Sequence, residues 1–298
     1  MEQKELDKVV EAITAKVRER LASATRGPRG GGCGSSRKED CTQCGHCVVQ
    51  READTRNIIS LGAVRVSTQS GISGVPTDLA RYIDHTLLKQ DATREQLRVL
   101  CDEARKWGFR TVCVNSSNVR YCKTLLSGCS TVPIAVVGFP LGAMSASAKA
   151  TEARQAVRDG ADEIDMVINV GELKSKNYAP VLDDIRAVVE ASRPKVVKVI
   201  IESGGLTQNE KIIACALSKA GGAHFVKTST GFGPGGATAE DIRLMKEIVG
   251  SDMEVKASGG IRTQQDALTM IAAGATRVGA SASIAIVTGQ KPAAAGKY

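Results

Sequence analysis

Aromatic residues are scarce in this chain: four phenylalanines, four tyrosines and one tryptophan make up 3% of its 298 residues. A surface that reads unpaired bases needs aromatic platforms, so the formal charge of +8 does not mark a nucleic-acid partner. Lysines and arginines are also interspersed with acids, and a small anionic substrate such as a sugar phosphate accounts for the local basic residues. No apolar run approaches the length of a membrane span, and no apolar signal segment is visible, which excludes a membrane-spanning protein as the expectation. With nine cysteines, that absence predicts a reducing, cytoplasmic setting in which thiols stay free. No G-x-G-x-x-G follows the first strand-like run, so the usual fingerprint of a doubly wound dinucleotide fold is missing.

What the chain has instead is Val, Ile, Ala and Leu within a 42% hydrophobic composition, together with 30 glycines, which suits an α/β protein with a parallel sheet. From Asp78 onward, short apolar runs at 82–86, 111–115, 134–139, 163–168, 196–201, 223–228, 254–257 and 277–280 alternate with helical periods. Helices are expected at 93–107, 147–159, 178–192, 207–219, 238–249 and 263–273, several opening on Thr or Ser with Glu or Gln shortly after. Eight strand-then-helix units predict a (β/α)8 TIM barrel over residues 77–290.

In such a barrel the chemistry sits where strands end, so the stretch AHFVKTSTGFGPGG (223–236) stands out. It carries Lys227 to the mouth of a glycine-rich loop. Desolvation there disfavours the ammonium, and a neutral amine is a nucleophile toward a carbonyl carbon. Lys256 on the next strand and Asp165 on the fourth converge on the same mouth, where like charge lowers the proton affinity of one lysine and the acid moves protons. Polar residues also end the first strand (Asp84-His85-Thr86) and fall beside Asp165 (Asp162, Glu163) and at the end of the fifth strand (Glu202-Ser203). Ser258-Gly259-Gly260 and Gly279-Ala280-Ser281, with Gly231, offer backbone N–H groups for a phosphate. This chemistry needs no cofactor.

Two arms flank the barrel. Residues 1–21 carry Leu6, Val9, Val10, Ile13, Val17 and Leu21 at helical spacing, followed in 22–76 by the glycine-rich RGPRGGGCGSSRK. A tethered amphipathic helix either docks onto a partner or caps the main domain. The pattern resembles encapsulation peptides that recruit enzymes to bacterial microcompartment shell proteins. Cys41, Cys44 and Cys47 at C-x2-C-x2-C spacing resemble part of a ferredoxin cluster loop; with Cys33 or His46 they would hold Zn or an Fe–S cluster, or else remain reactive thiols. Cys101, Cys113, Cys122, Cys129 and Cys215 read as packing residues. Residues 291–298 form a tail ending in Tyr298.

The segments IDHTLLK (83–89), VGFPLGA (137–143), ADEIDMVINVG (161–171), FVKTSTGF (225–232), VKASGGIRT (255–263) and GAS (279–281) resemble, in chain order, the signatures of the deoxyribose-phosphate aldolase family. The resemblance spans about residues 78–287 and implies a class I aldolase of deoxyribonucleotide catabolism, a homo-oligomer such as a dimer. It implies Lys227 as the Schiff-base lysine, Asp165 as the acid/base and Lys256 as the lysine that perturbs Lys227. Gly231, Gly259, Gly260 and Ser281 match its phosphate positions, Asp84 its inner polar network, and Tyr298 a terminal tyrosine that some members fold over the site. His224, where the family commonly has an acid, reads as peripheral. The competing reading is a redox or scaffold protein that works through its cysteine arm, with the barrel as a platform.

Overall fold

In a computed structural model of the chain, residues 79–290 are described together with Lys8, Glu11, Ala12, Thr14 and Ala15. Eight strands pair in chain order, each parallel to the next, and β8 closes back on β1. They are β1 (Ile83–Leu87), β2 (Thr111–Asn115), β3 (Val132–Val137), β4 (Glu163–Val167), β5 (Val196–Ile200), β6 (Phe225–Lys227), β7 (Glu254–Ser258) and β8 (Arg277–Ala280). The expected TIM barrel is therefore present. Parallel neighbours cannot be joined by a tight hairpin, and each connection runs through at least one helix.

The helices are α1 (Arg94–Trp107), α2 (Val119–Leu125), α3 (Ala146–Arg158), α4 (Val170–Lys174), α5 (Tyr178–Ser192), α6 (Gln208–Ala220), α7 (Ala239–Val249), α8 (Gln264–Ala272) and α9 (Ser283–Thr288). Thr93, Thr207 and Thr263 each cap a helix through a capping box closed by Gln96, Glu210 and Asp266 respectively. Such caps contribute about 1 kcal/mol each and fix where the chain turns from loop to helix. Helices α2 and α9 complete the units of β2 and β8, where a helix was expected without bounds, and α4 is an additional helix after β4: at seven, six and five residues they are too short to display an apolar period.

Alternation along each strand decides the layers. Val112, Val114, Ile164, Met166, Val197, Val199, Val226, Val255 and Val278 are buried in the large core shared with the helices. The alternate residues face the barrel interior, which most barrels fill with branched apolar side chains. Here β2 and β3 do so, with Cys113, Ile134 and Val136 packed beside Leu88. The remaining strands deliver charge.

In the N-terminal stretch, the five described residues are helical, within the helix expected at 3–21. Glu11, Thr14 and Ala15 line a cavity of about 580 Å³ together with Leu173, Tyr178 and Ile213 of α4, α5 and α6. The glycine-rich linker, Cys41, Cys44, Cys47 and the tail with Tyr298 lie outside the described residues. Among the described residues, no helix is long and apolar enough to cross a membrane, and no group of three or more His, Cys, Asp or Glu side chains could hold a metal ion.

Candidate active site

Register brings the charged residues together. Lys227 pairs with Lys256 across β6 and β7, Lys256 with Arg277 across β7 and β8, and Asp165 with Lys198 across β4 and β5. Asp165 is the hub. Its Oδ2 accepts hydrogen bonds from both Lys227 Nζ and Lys256 Nζ at 2.8 Å, and its Oδ1 accepts one from Lys198 Nζ at 3.0 Å. Lys256 also forms an ion pair with Asp84 Oδ2 at 2.6 Å, and Thr111 Oγ1 donates to Asp84 Oδ1 at 2.6 Å.

Burial alone would push these acids up and these lysines down. It is outweighed. Lys256, Arg277 and Lys198 bring Asp84 down to about 2 against its burial, and Lys198, Lys227 and Lys256 hold Asp165 well below the usual carboxylate range. Asp165 and Asp84 in turn hold Lys256 above the usual lysine range despite complete burial. Lys256 is thus kept as an ammonium. The surrounding thiol of Cys113, one of the cysteines read as packing, is pushed up to about 11 by burial and stays neutral beside the lysines.

Of the residues singled out from sequence, Lys227, Lys256, Asp165 and Asp84 meet in one cluster. Asp84 is not a strand-end residue as expected; it is the second residue of β1 and lies deep in the barrel. Asp162 belongs elsewhere: it precedes β4 at the opposite end and pairs with Lys123 and Lys195. His224 is exposed, and its Nδ1 accepts from the Val197 N–H at 3.1 Å, consistent with a peripheral position. Lys198 and Arg277 were missed. The signal for Lys198 was a lysine inside the otherwise apolar VVKVI, and period-2 counting puts it on the interior face.

At the mouth, Lys227 is the last residue of β6 and Gly231 follows with φ of 87°, a conformation that favours glycine. The loop is gripped from β5. Glu202, itself left-handed at φ of 56°, accepts from Thr230 Oγ1 at 2.5 Å and from the Thr230 N–H at 3.3 Å. The loops after β6 and β7 touch: the Ala237 N–H donates to Gly259 O at 3.0 Å, and a Cβ on Gly236 would come within 2.6 Å of that oxygen. Gly259 and Gly260 therefore lie against the far end of the loop that begins with Gly231, and Ser281 is exposed just past β8. A cavity of about 810 Å³ lies just past the carboxyl ends of β1 to β3, lined by Leu88, Asn115, Phe139 and Pro140, with Phe232 from the loop after β6.

A buried acid between two lysines at the carboxyl end of a parallel barrel is an arrangement for amine chemistry on a carbonyl. The sequence profile described as DeoC/LacD family aldolase matches residues 79–291. The chain belongs to this aldolase family. A deoxyribose-phosphate aldolase from Alkaliphilus oremlandii is 57% identical over 220 residues, covering 74% of this chain and 99% of that protein. One from Streptococcus pneumoniae serotype 19F is 58% identical over 212 residues, 71% of this chain and 96% of the relative. Among solved structures, the tetrameric deoxyribose phosphate aldolase from Aeropyrum pernix is similar at a TM-score of 0.67 and 32% identity, covering 72% of this chain and 91% of its own. The aldolase family thus accounts for the barrel, and the profile's matched residues begin where the described barrel does.

Proposed function

We propose that the barrel cleaves 2-deoxy-D-ribose 5-phosphate reversibly to D-glyceraldehyde 3-phosphate and acetaldehyde through an imine on Lys227. The activity is that of a deoxyribose-phosphate aldolase, a carbon–carbon lyase of the class I type. The observation that carries the residue assignment is the shared oxygen: Lys227 and Lys256 both donate to Asp165 Oδ2, and Lys256 alone among the two has a second carboxylate, Asp84. Lys256 is committed to the ammonium form, leaving Lys227 as the amine free to react.

Neutral Lys227 Nζ adds to C1 of the open-chain sugar, and the carbinolamine loses water to give an iminium. Asp165, directly or through a water, accepts and returns the protons of these steps. The iminium then draws the electrons of the C2–C3 bond toward C2 as the C3 hydroxyl loses its proton. Glyceraldehyde 3-phosphate leaves, the enamine takes a proton at C2, and hydrolysis releases acetaldehyde and free Lys227. Gly231, Gly259, Gly260 and Ser281 hold the phosphate through backbone N–H groups and the hydroxyl. No step calls on a cofactor.

Borohydride trapping with deoxyribose 5-phosphate, followed by peptide mass spectrometry, tests this. An adduct on Lys227 is expected. An adduct on Lys256 instead would reverse the two roles, and its absence from folded protein would overturn the mechanism.

The arms carry separate readings. The 3–21 helix is a docking segment for a microcompartment shell protein, and docking requires it to leave the cavity that Glu11, Thr14 and Ala15 share with the barrel. A fluorescent protein fused to residues 1–38 that stays diffuse in shell-producing cells would refute this. Cys41, Cys44 and Cys47 bind Zn or an Fe–S cluster; metal analysis of anaerobically purified protein decides it. The enzyme works in the cytoplasm as a homodimer, and sedimentation giving another mass would overturn that state. Tyr298 acts as a proton relay, so its deletion slows solvent exchange at the acetaldehyde methyl.

A further inference from the structure

The charged side chains of the interior close into a ring. From Asp165 Oδ1 it runs to Lys198 at 3.0 Å, on to Glu163, from Glu163 Oε1 to Arg277 at 2.6 Å, and from Arg277 Nε to Asp84 Oδ1 at 3.4 Å. It continues from Asp84 Oδ2 to Lys256 at 2.6 Å and returns to Asp165 Oδ2 at 2.8 Å. Acids and bases alternate all the way round. Asp84, Asp165, Lys198 and Lys256 are fully buried, and Glu163 and Arg277 are each 6% exposed.

Three carboxylates and three cations make the ring neutral. Each of its bases touches two carboxylates: Lys198 has Glu163 and Asp165, Arg277 has Glu163 and Asp84, and Lys256 has Asp84 and Asp165. Lys227 lies outside it, with a single carboxylate whose contacting oxygen it shares with Lys256. Of the other titratable groups near Lys227, Cys113 is neutral, and Glu202, two residues past the neighbouring strand, turns its carboxylate to the hydroxyl and N–H of Thr230, so neither is a member of the ring. Among side chains this deeply buried, charge imbalance is costly, so the proton whose loss leaves the cluster neutral is the one on Lys227.

We propose that this six-membered ring selects Lys227 as the neutral amine, and that Lys198 and Glu163 are positioning residues that set its protonation through Asp165 and the charge balance of the interior. The proposal rests on the imine reading above. It makes a prediction that simple structural support does not: removing a ring base and removing a ring acid must act in opposite directions. In Lys198→Met, three carboxylates face only Lys227, Lys256 and Arg277, so the Lys227 proton becomes part of the balance. In Glu163→Gln, the excess of cations grows and that proton is lost more readily. The double variant removes one charge of each sign and restores the original count.

The experiment is the pH dependence of reductive trapping on Lys227, using acetaldehyde and cyanoborohydride with peptide mass spectrometry as the readout. The acid limb is expected to move to higher pH in Lys198→Met by about one unit, a tenfold slower trapping at fixed acidic pH, and to lower pH in Glu163→Gln. The double variant should return to the parent profile, and Lys198→Arg should keep it. If Lys198→Met does not fold, Glu163→Gln and the double variant carry the decision, and an unmoved limb in Glu163→Gln overturns the proposal. So do single-variant limbs that move in the same direction. No adduct on Lys227 in the parent protein would instead overturn the imine reading itself, which distinguishes the two failures.

Discussion

This molecule buries lysine against carboxylate in two separate regions, with opposite electrostatic results. Between α3 and α5, Lys149 Nζ donates to Asp184 Oδ2 at 2.5 Å and to the Val167 carbonyl at 2.8 Å, and Lys149 is fully buried. Desolvation there prevails over the ion pair: Asp184 is shifted up and Lys149 down, each toward its neutral form. Asp184 Oδ1 is buried without a hydrogen-bond partner. In the barrel interior burial is just as complete, yet the acids shift down and Lys256 shifts up. The difference is the number of opposite charges per group. One partner does not repay the loss of water, whereas two or three do. The isolated pair joins two helices; the network holds ions ready for chemistry.

That comparison can be broken most severely at Lys227. Lys227→Ala is expected to lower kcat/KM for deoxyribose 5-phosphate by about 10⁴-fold or more, the scale of nucleophile deletions elsewhere, with thermal unfolding little changed. Asp165→Asn should lower kcat by roughly 10²- to 10⁴-fold, the range of a lost general acid/base, measured by coupling the released aldehyde phosphate to a dehydrogenase.

Stability sharpens the contrast. Lys256→Met takes one cation from two buried carboxylates, Asp84 and Asp165, and should cost about 3–5 kcal/mol in urea unfolding, whereas Lys149→Met with Asp184→Leu replaces an isolated pair and should be neutral or stabilising by up to about 4 kcal/mol. The smallest effect is in the acid limb of stability. Asp84 has its folded value depressed from 3.8 to about 2, so its contribution, about 2 kcal/mol, is complete above pH 4 and disappears as pH falls through 2. Asp184 is raised, so its contribution has the opposite sign and grows as pH falls through its folded value. Urea midpoints between pH 5 and 2 should fall less steeply in Asp84→Asn than in the parent, and more steeply in Asp184→Asn.

Much of the barrel was readable because its elements announce themselves locally. The expected strands at 111–115 and 277–280 coincide with β2 and β8, and the expected helix at 178–192 coincides with α5. Thr93, Thr207 and Thr263 mark helix starts through side chains three residues away, an interaction contained within the sequence window. Helix α4 escaped notice because five residues carry no period; Glu202 was visible as a polar residue after the fifth strand, but its grip on Thr230 spans two loops and was not. Lys198 was visible as a charge in an apolar strand, but its relation to Asp165 depends on register between β4 and β5.

The sequence by itself determined the number and order of the strands, the lysine at the end of β6 and the family, since these rest on periodicity, capping and contiguous motifs. The tertiary structure decided which charges face each other. Glu163 and Arg277 are 114 positions apart and Asp165 and Lys256 are 91 apart, so neither contact exists until the barrel closes. Closure also excludes water, and without that exclusion the same seven charged side chains would be solvated independently, with nothing to distinguish one lysine from another.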